Sequence, residues 1–319
     1  MRIVSLLPSA TEVLFALGFD EEIVGVSHEC DFPPRARTKR AVIHSRLPHD
    51  ASPAEVDRLV REYVARGESL YSVDAEALEE LAPDLIITQD LCQVCAASPD
   101  DLAAALRKLP ELPEVLCLNP QDLGDVWRDI LWIGEATCRG HEAEALLKGI
   151  GERLGALEQQ LEGAEHCPRV AVLEWLQPFY TAGHWVPEMM EAAGGKDVLG
   201  KKCTPSFRVT AEEVMEAAPE VLFIAACGYG ATRAREEYQS MTFPEGWEDM
   251  AAVRDSRVYA VEASGYFSRP GPRVVAGIEA LASVLHPAIE VGREAESVVL
   301  PIGSAPVSAL PSSRRAASA

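Results

Sequence analysis

A long run of helical periodicity constrains this chain more than any other feature. Between Asp122 and Leu161, apolar side chains recur three and four residues apart, which is typical of one face of an α-helix. Asp122 favours the N-terminal end of such a helix, and Gly163 followed by Pro168 ends it. At about 1.5 Å per residue the helix would be roughly 60 Å long, more than one domain needs. The pattern therefore predicts a strut between two lobes. The expected weak point is a kink or break at Arg139-Gly140, because glycine inside a helix costs about 1 kcal/mol relative to alanine.

Short apolar strands alternate with helical patterns on both sides of this run, as in a mostly parallel sheet covered by helices. With 319 residues, 48% of them apolar, the chain is long enough for two cores of ordinary size. We predict an α/β fold: two similar α/β lobes with central, mostly parallel sheets, joined by one long backbone helix. The predicted divisions are an N-terminal lobe over 1–121, a linking helix over 122–162, a C-terminal lobe over 163–287, and a tail over 288–319 that is expected to be disordered.

An internal echo supports the prediction of two lobes. Segments 74–87 and 210–223 place a helix cap, a glutamate, apolar positions and a proline at one constant offset. The glutamates are Glu76 and Glu212, each seven residues before its proline. A repeat of this kind indicates two copies of one supersecondary unit.

The charge of the chain narrows its partners. A net charge of −21 argues against nucleic acid and against an anionic membrane surface, because both would be repelled. A small-molecule ligand is the better expectation. The strand-like residues 2–7 follow Met1 at once and leave no room for a signal peptide, and no later run has the ~18 apolar residues of a membrane span. We therefore expect a cytoplasmic location for the sequence as written, unless the true start lies upstream.

The loops that leave the predicted strands carry the candidate site. In open α/β sheets, ligands bind outside the carboxyl ends of the strands, and here those loops hold much of the chain's Cys, His, Trp and Tyr. If the lobes face each other, the loops line one cleft. The candidate ligand-binding residues are Ser9, His28, Cys30, Gln89, Cys92, Cys95, Glu174, Trp175, His184, Trp185, Cys227, Tyr229, Tyr266 and Arg269.

A CxxC motif occurs within these loops. Its spacing lets the thiolates of Cys92 and Cys95 reach one metal ion or each other. Further metal ligands would then come across the cleft, from His28, Cys30, His184 or Cys227. The alternative is that these thiols only pack a strand-to-helix turn, and a lone CxxC leaves both interpretations open.

Two tryptophans lie in one strand-exit segment. Glu174-Trp175 and His184-Trp185 resemble a wall for a large flat ligand, with aromatic faces for stacking, but both tryptophans would equally plug a lobe core. Arg269 would meet an anionic ligand group or pair with a surface acid. The sequence contains no Gly-rich phosphate loop, GxSxG or HExxH, which weakens most enzyme classes and favours a non-catalytic protein.

Several segments together resemble the cobalamin-binding-protein branch of the ABC-importer solute-binding proteins. This is the helical-backbone group that also binds siderophores and haem, and the similarity runs from Met1 to about Pro287. The segments that carry the resemblance are RIVSLLPSATE at 2–12, HECDFP at 28–33, TQDLCQVC at 88–95, EW at 174–175, GHWVPE at 183–188, AGG at 193–195 and SRPGPR at 268–273.

The resemblance implies a corrinoid-like ligand between two lobes that move little, and an ABC importer permease whose arginines receive Glu76 and Glu212. The aromatic residues that sandwich cobalamin in the exported proteins align near Leu70 and Ser206, so the adjacent Tyr71 joins the candidate list. The leading interpretation is a binding protein for a cobalamin-like corrinoid or related metal chelate. The alternative is a cytosolic metalloprotein or enzyme whose cleft thiols hold a metal or cluster.

Overall fold

A computed structural model of the protein describes residues 1–48, 51, 53–89 and 99–303. Within these residues the chain forms two β-sheets, each covered by helices, with two long helices between them. The prediction of two α/β lobes with mostly parallel sheets is confirmed. None of the described helices combines the length and apolar character needed to cross a lipid bilayer.

The N-terminal lobe is built on a six-stranded sheet in the order β4-β3-β2-β1-β5-β6, parallel except where β4 pairs with β3. Side chains alternate between its faces, so Ile3 and Ile87 enter one core and Val4 and Ile86 the other. A short 3-10 turn spans Pro34–Thr38. The elements are β1 (Ile3–Ser5), α1 (Pro8–Ala16), β2 (Ile23–Ser27), β3 (Arg40–Ser45), α2 (Pro53–Arg66), β4 (Tyr71–Val73), α3 (Ala75–Leu81), β5 (Leu85–Gln89), α4 (Pro99–Leu106) and β6 (Glu114–Leu118).

The linking segment is two helices, α5 (Leu123–Ala136) and α6 (Gly140–Leu161), so the prediction of one continuous helix is wrong. Cys138 takes a left-handed conformation with φ of 57°. Its amide donates to the carbonyl of Glu135 at 3.1 Å, and the amide of Arg139 donates to that of Gly134 at 2.7 Å. This pair of bonds is a Schellman cap, which satisfies the last carbonyls of α5 and ends the helix.

The two linking helices run antiparallel and both cross between the lobes. Val126 near the start of α5 shares the C-terminal core with Leu157 near the end of α6, whereas Ile133 shares the N-terminal core with Ala143. A Cβ atom at Gly134 would lie only 2.5 Å from the Cβ of Ala143, so this glycine permits the close approach. The predicted strut is therefore a helical hairpin.

The C-terminal lobe contains a mixed sheet in the order β10-β8-β7-β11-β12-β13, with β9 beside β7. The central strands β7, β11 and β12 are parallel, and the outer pairs β8–β7, β10–β8 and β12–β13 are antiparallel. A 3-10 turn spans Trp247–Asp249. The elements are β7 (Arg169–Leu176), β8 (Phe179–Thr181), α7 (Val186–Ala192), β9 (Lys196–Asp197), β10 (Phe207–Arg208), α8 (Ala211–Glu216), β11 (Val221–Ile224), α9 (Ala231–Ser240), α10 (Ala251–Arg254), β12 (Val258–Val261), α11 (Ala263–Tyr266), α12 (Val274–Leu285), α13 (Arg293–Glu296) and β13 (Val299–Pro301).

The first half of the predicted tail is part of this lobe. Strand β13 adds to β12, and Ala295 and Val298 are fully buried in the core beside α12. The expectation of disorder from residue 288 onward is therefore wrong for residues 288–303. Alanine and valine side chains in this stretch bury apolar surface that the bulk composition of the tail conceals. Residues 304–319 lie outside the described residues.

Candidate functional site

Two arginines before α12 connect the C-terminal lobe to the N-terminal lobe. Arg273 donates from Nε to Glu12 Oε2 at 2.8 Å and makes a second bond to Oε1, so the pair is bidentate. Glu12 is only 5% exposed, and burial raises its pKa, while Arg273 opposes this by favouring the carboxylate. Arg269 pairs with Asp31 and also donates to the carbonyl of Glu29 at 2.9 Å. Of the two partners expected for Arg269, an anionic ligand group or an acidic side chain, the structure shows the second: the arginine contacts acids of the opposite lobe.

Apolar contacts accompany these ion pairs. Val275 of α12 is buried in the core of the N-terminal lobe, and the guanidinium of Arg273 lies 4.1 Å from the ring centre of Phe32. Ser9 is buried opposite Gly271, where an added Cβ would lie 3.4 Å from the Cβ of the serine. The structure therefore places Ser9 and Arg269 in the contact between the lobes.

Cys30 lies inside the N-terminal core. It is 3% exposed, its Sγ accepts a hydrogen bond from Thr11 Oγ1 at 3.1 Å, and burial raises the pKa of the thiol to about 11. A thiol that holds its proton so firmly is a poor metal ligand and a poor nucleophile. Its surroundings match the packing interpretation.

The neighbouring candidates lie nearer the surface. His28 has its ring 5.9 Å from that of Tyr71, with its Nδ1 3.1 Å from the carbonyl of Ile43. Gln89 is the last residue of β5, and the CxxC motif follows it in the sequence. Cys92 and Cys95 lie outside the described residues, so the metal prediction for them stays a prediction. Within the described part of the chain, no group of three or more His, Cys, Asp or Glu residues is arranged to hold a metal ion.

The two tryptophans of the predicted wall lie in different environments. Trp185 is 4% exposed in the core of its lobe, and its Nε1 donates to the carbonyl of Phe267 at 2.8 Å. Trp175 is half-buried, and its ring lies 5.6 Å from that of Tyr229. Trp185 therefore matches the core interpretation, whereas Trp175 stays partly exposed, with its Nε1 donating to the carbonyl of Gln177 at 3.2 Å.

His184 precedes the buried tryptophan in a left-handed conformation, with φ of 52°. Its ring stacks on Trp185 at a centroid distance of 5.6 Å, and burial lowers its pKa. Its buried Nδ1 atom finds no hydrogen-bond partner among the residues that the structure describes. His184 is thus a neutral imidazole at neutral pH.

The remaining candidates lie at the ends of β7, β11 and β12. The amide of Cys227, an exposed residue, donates to the carbonyl of Glu174 at 3.1 Å. Tyr229 is buried under the guanidinium of Arg233, 3.9 Å from its ring centre. Tyr266 is half-buried beside Arg273, in the contact between the lobes. The candidates therefore form several groups rather than one continuous lining.

A cavity of about 550 Å³ lies between α2 of the N-terminal lobe and the C-terminal lobe. The wall that the C-terminal lobe contributes consists of the β7–β8 turn, β10 and the start of α8. Among the candidates that lie within the described residues, none lines it. The lining residues are Ala54, Asp57, Arg61, Leu176, Gln177, Pro178, Phe179, Arg208, Val209, Thr210 and Ala211.

The sequence offered only weak signals for this cavity. The segment that forms α2 has apolar residues at helical spacing, but that periodicity does not say which surface they face. Arg208 lies two residues after Ser206, near which the family resemblance aligns a ligand-stacking aromatic residue. Both arginines of the lining, Arg61 and Arg208, were missed because an exposed arginine has no distinguishing spacing.

Glu76 and Glu212 occupy equivalent places in the two lobes. Each is exposed in the first turn of its helix, α3 or α8, two residues after the N-cap. Asp74 caps α3 by accepting from the amide of Ala77 at 2.9 Å, and Thr210 caps α8 within a capping box. The echo in the sequence therefore reflects a repeated structural unit.

Sequence comparison decides the family of this chain. The model of the periplasmic binding protein family matches residues 3–264. The chain belongs to this family. That result confirms the resemblance found in the sequence, and because the family comprises solute-binding proteins, it also supports a non-catalytic role. The alternative of a cytosolic metalloprotein or enzyme receives no support.

Individual relatives agree with the family assignment. The uncharacterized ABC transporter substrate-binding lipoprotein YvrC of Bacillus subtilis is 25% identical, over 90% of this chain and 80% of its own length. The vitamin B12-binding protein of Vibrio cholerae is 23% identical, over 89% of this chain and 88% of its own. A periplasmic heme binding protein from Pseudomonas aeruginosa, 19% identical, superposes with a TM-score of 0.69 over 91% of this chain and 94% of its own. That likeness shows a shared fold.

The expected cytoplasmic location is contradicted by these comparisons. The family is that of periplasmic binding proteins, and the relatives are named as periplasmic proteins or as a lipoprotein, which points to an extracytoplasmic location. The expectation rested on the first residues of the sequence, and these do not decide where a member of this family acts.

Proposed function

We propose that this protein binds a metal chelate between its lobes, in particular a cobalamin-like corrinoid, and delivers it to an ABC importer permease. The observation that carries the proposal is the cavity of about 550 Å³ between α2 and the C-terminal lobe. This volume is usual for the pockets of drug-sized ligands, about 300–1,000 Å³, and because the cavity is open to solvent a larger chelate would extend beyond it. Relatives named as B12-binding and heme-binding proteins support a chelate as the class of ligand.

The surroundings of the cavity suit a large ligand with flat faces. Leu176, Pro178 and Phe179 give one wall an apolar surface. Trp175, directly before Leu176, keeps its ring half-buried beside Tyr229. Aromatic and aliphatic surfaces of this kind bury a macrocycle favourably, while a few polar groups set its orientation.

Docking to a permease would use Glu76 and Glu212. Both carboxylates are exposed at equivalent positions on the two lobes, so one surface of a two-fold symmetric permease could receive both. Opposite charges at such an interface steer association and fix its orientation.

Titration of the purified protein with cyanocobalamin and with haem, followed by tryptophan fluorescence and visible absorbance, tests ligand binding. We expect saturable binding of one chelate class, weakened about tenfold or more by Ala54→Trp, which fills part of the cavity from α2. The matched control is Ala65→Trp, which adds the same side chain at an exposed position of α2 outside the cavity lining. If neither cyanocobalamin nor haem binds, the proposal is refuted.

Docking is tested separately with the importer reconstituted in vesicles. The double variant Glu76→Lys/Glu212→Lys should bind ligand normally but fail to stimulate ATP hydrolysis. The control is Glu79→Lys/Glu216→Lys, which changes two exposed glutamates on the same two helices. Equal stimulation by both double variants would exclude the glutamates from docking.

A further inference from the structure

Two arginines face the cavity from opposite lobes. Arg61 projects from α2 and Arg208 from β10, and both line the space between them. Their lobes are joined by the α5–α6 hairpin and by Arg269 and Arg273 at another contact, so the fold itself brings these two cations to one cavity.

The lining has a charge opposite to that of the whole protein. It contains the two arginines and one acid, Asp57, which leaves one net positive charge in a chain whose net charge is −21. Asp57 holds Arg61 through an ion pair of 2.6 Å across one helical turn. Arg208 makes no ion pair with any residue in the described part of the chain. The cavity is thus a local positive site on an acidic protein.

Each arginine is accessible to a ligand. The side chain of Arg61 is 70% exposed despite its ion pair, and Arg208 is also an exposed residue. A guanidinium group presents a planar fork of donors that matches the oxygens of a phosphate or carboxylate. An anionic group between the two walls can accept hydrogen bonds from both guanidinium groups.

Helix α2 is the wall that can adjust to a ligand. None of its residues from 54 to 66 is buried. Val56, Leu59, Val60 and Tyr63 share one face at helical spacing but are only half-buried. A ligand in the cavity would therefore add contacts to a helix that the fold holds weakly.

We propose that Arg61 and Arg208 together bind an anionic group of the ligand, a phosphate or a carboxylate, and so select chelates that carry one. This inference rests on the proposed function and adds a charge requirement to it. An apolar wall for the macrocycle and a cationic pair for its acidic substituent form one site. The overall charge of the protein disfavours anionic ligands, so the local pair is what makes their binding favourable.

Paired ligands with and without an anionic group test the inference; the member that carries the group is called acidic and its partner neutral. Cyanocobalamin carries a phosphodiester, which dicyanocobinamide lacks together with the rest of the nucleotide loop, and haem carries two carboxylates, which are esterified in its dimethyl ester. These two arms separate phosphate from carboxylate as the source of the anion. In the wild-type protein, one acidic ligand should bind at least about tenfold more tightly than its neutral partner, which corresponds to about 1.4 kcal/mol.

The double variant Arg61→Gln/Arg208→Gln should abolish this preference, while the neutral partner binds as before. Its control is Arg58→Gln/Arg254→Gln, which removes the same charge from exposed arginines that do not line the cavity. Hydrogen exchange should show α2 protected by the acidic ligand only when both arginines are present. Raising the salt concentration should weaken the acidic ligand selectively.

The outcomes separate this inference from the proposed function. If acidic and neutral chelates bind equally and the arginine variants change nothing, the inference is overturned while chelate binding stands. If the control double variant lowers the affinity for the acidic ligand as much as the cavity variant does, the loss comes from the change in net charge of the protein, and the inference also fails. If no chelate of either arm binds, the proposed function fails and this inference fails with it.

Discussion

Trp175 and Trp185 lie ten residues apart in one segment but differ in burial. Trp185 is buried in the core and donates to the carbonyl of Phe267, whereas Trp175 is half-buried. We expect Trp185→Ala to lower the free energy of unfolding by about 3–5 kcal/mol, because it empties a core site and leaves a carbonyl unpaired. Trp175→Ala should cost much less. Urea denaturation of both variants measures the difference, and equal losses would contradict it.

Asp129 makes stability depend on pH. It is buried in α5, and loss of solvation raises its pKa from 3.8 to about 7, with a further rise from Asp125 and an opposing effect of Arg128. Between about pH 4 and pH 7 the folded state then binds more protons than the unfolded state at this residue. Its contribution to stability is therefore lost as pH rises through this window, at about 1.4 kcal/mol per unit of pKa difference at most.

The variant Asp129→Asn should remove this part of the pH dependence. The measurement is urea denaturation at pH 5 and at pH 8, with Glu135→Gln, an exposed change on the same helix, as the control. The wild-type protein and the control should lose stability between the two pH values, relative to Asp129→Asn. The same pH response in all three proteins would show that Asp129 titrates normally.

Residue patterns predicted which loops leave the strands, but they did not predict the depth of each side chain. Cys30 and Trp185 looked like ligand contacts because of their type and place, yet both are buried in the cores. Arg269 pairs with Asp31, 238 residues away in the chain. Burial and pairing over such separations depend on how the lobes pack, which local spacing does not encode.

At the scale of elements, the linking hairpin depends on close packing at its turn. Gly134→Ala would place a Cβ 2.5 Å from the Cβ of Ala143 and 3.1 Å from the carbonyl oxygen of Arg139. We expect this variant to lose about 1–3 kcal/mol of stability through overpacking. Gly151→Ala on α6 meets no atom within 4 Å and should instead gain up to about 1 kcal/mol. Thermal or urea unfolding distinguishes them, and a stabilising Gly134→Ala would refute the close contact.

The break between α5 and α6 shows why this element was only partly predictable. The apolar period and the Asp122 cap are local signals, and both held. The helix ends at Ala136, and its cap is completed by Cys138, a residue with little preference for the left-handed conformation, so no glycine marks the stop there. The break expected at Arg139-Gly140 lies between Ala136 and Gly140, with Arg139 as the N-cap of α6 and Gly140 as its first residue. Likewise, nothing in the sequence of α2 indicated that it covers a cavity on the other lobe.

For the whole molecule, two connections among the described residues hold the lobes together. One is the α5–α6 hairpin, and its α5 end is tied to the C-terminal lobe where the amide of Leu123 donates to Glu188 at 2.8 Å. The other is the contact of Arg269 and Arg273 with acids of the N-terminal lobe. Two connections resist a hinge motion more strongly than one helix does, so we expect adjustment to a ligand mainly in α2.

X-ray scattering can test this arrangement. Ligand binding should change the radius of gyration of the wild-type protein by less than about 1 Å, because both connections persist in the bound state. Glu12→Gln should weaken the second connection: the side chains of Glu12 and Arg273 are 4% and 14% exposed, and removing one partner of such a buried pair costs about 3–5 kcal/mol. We expect this variant to unfold more easily and to show faster hydrogen exchange where α12 meets the N-terminal lobe. Glu62→Gln, an exposed change on α2, should show neither effect. A change of several ångströms on ligand addition to the wild-type protein would mean that the lobes hinge despite both connections.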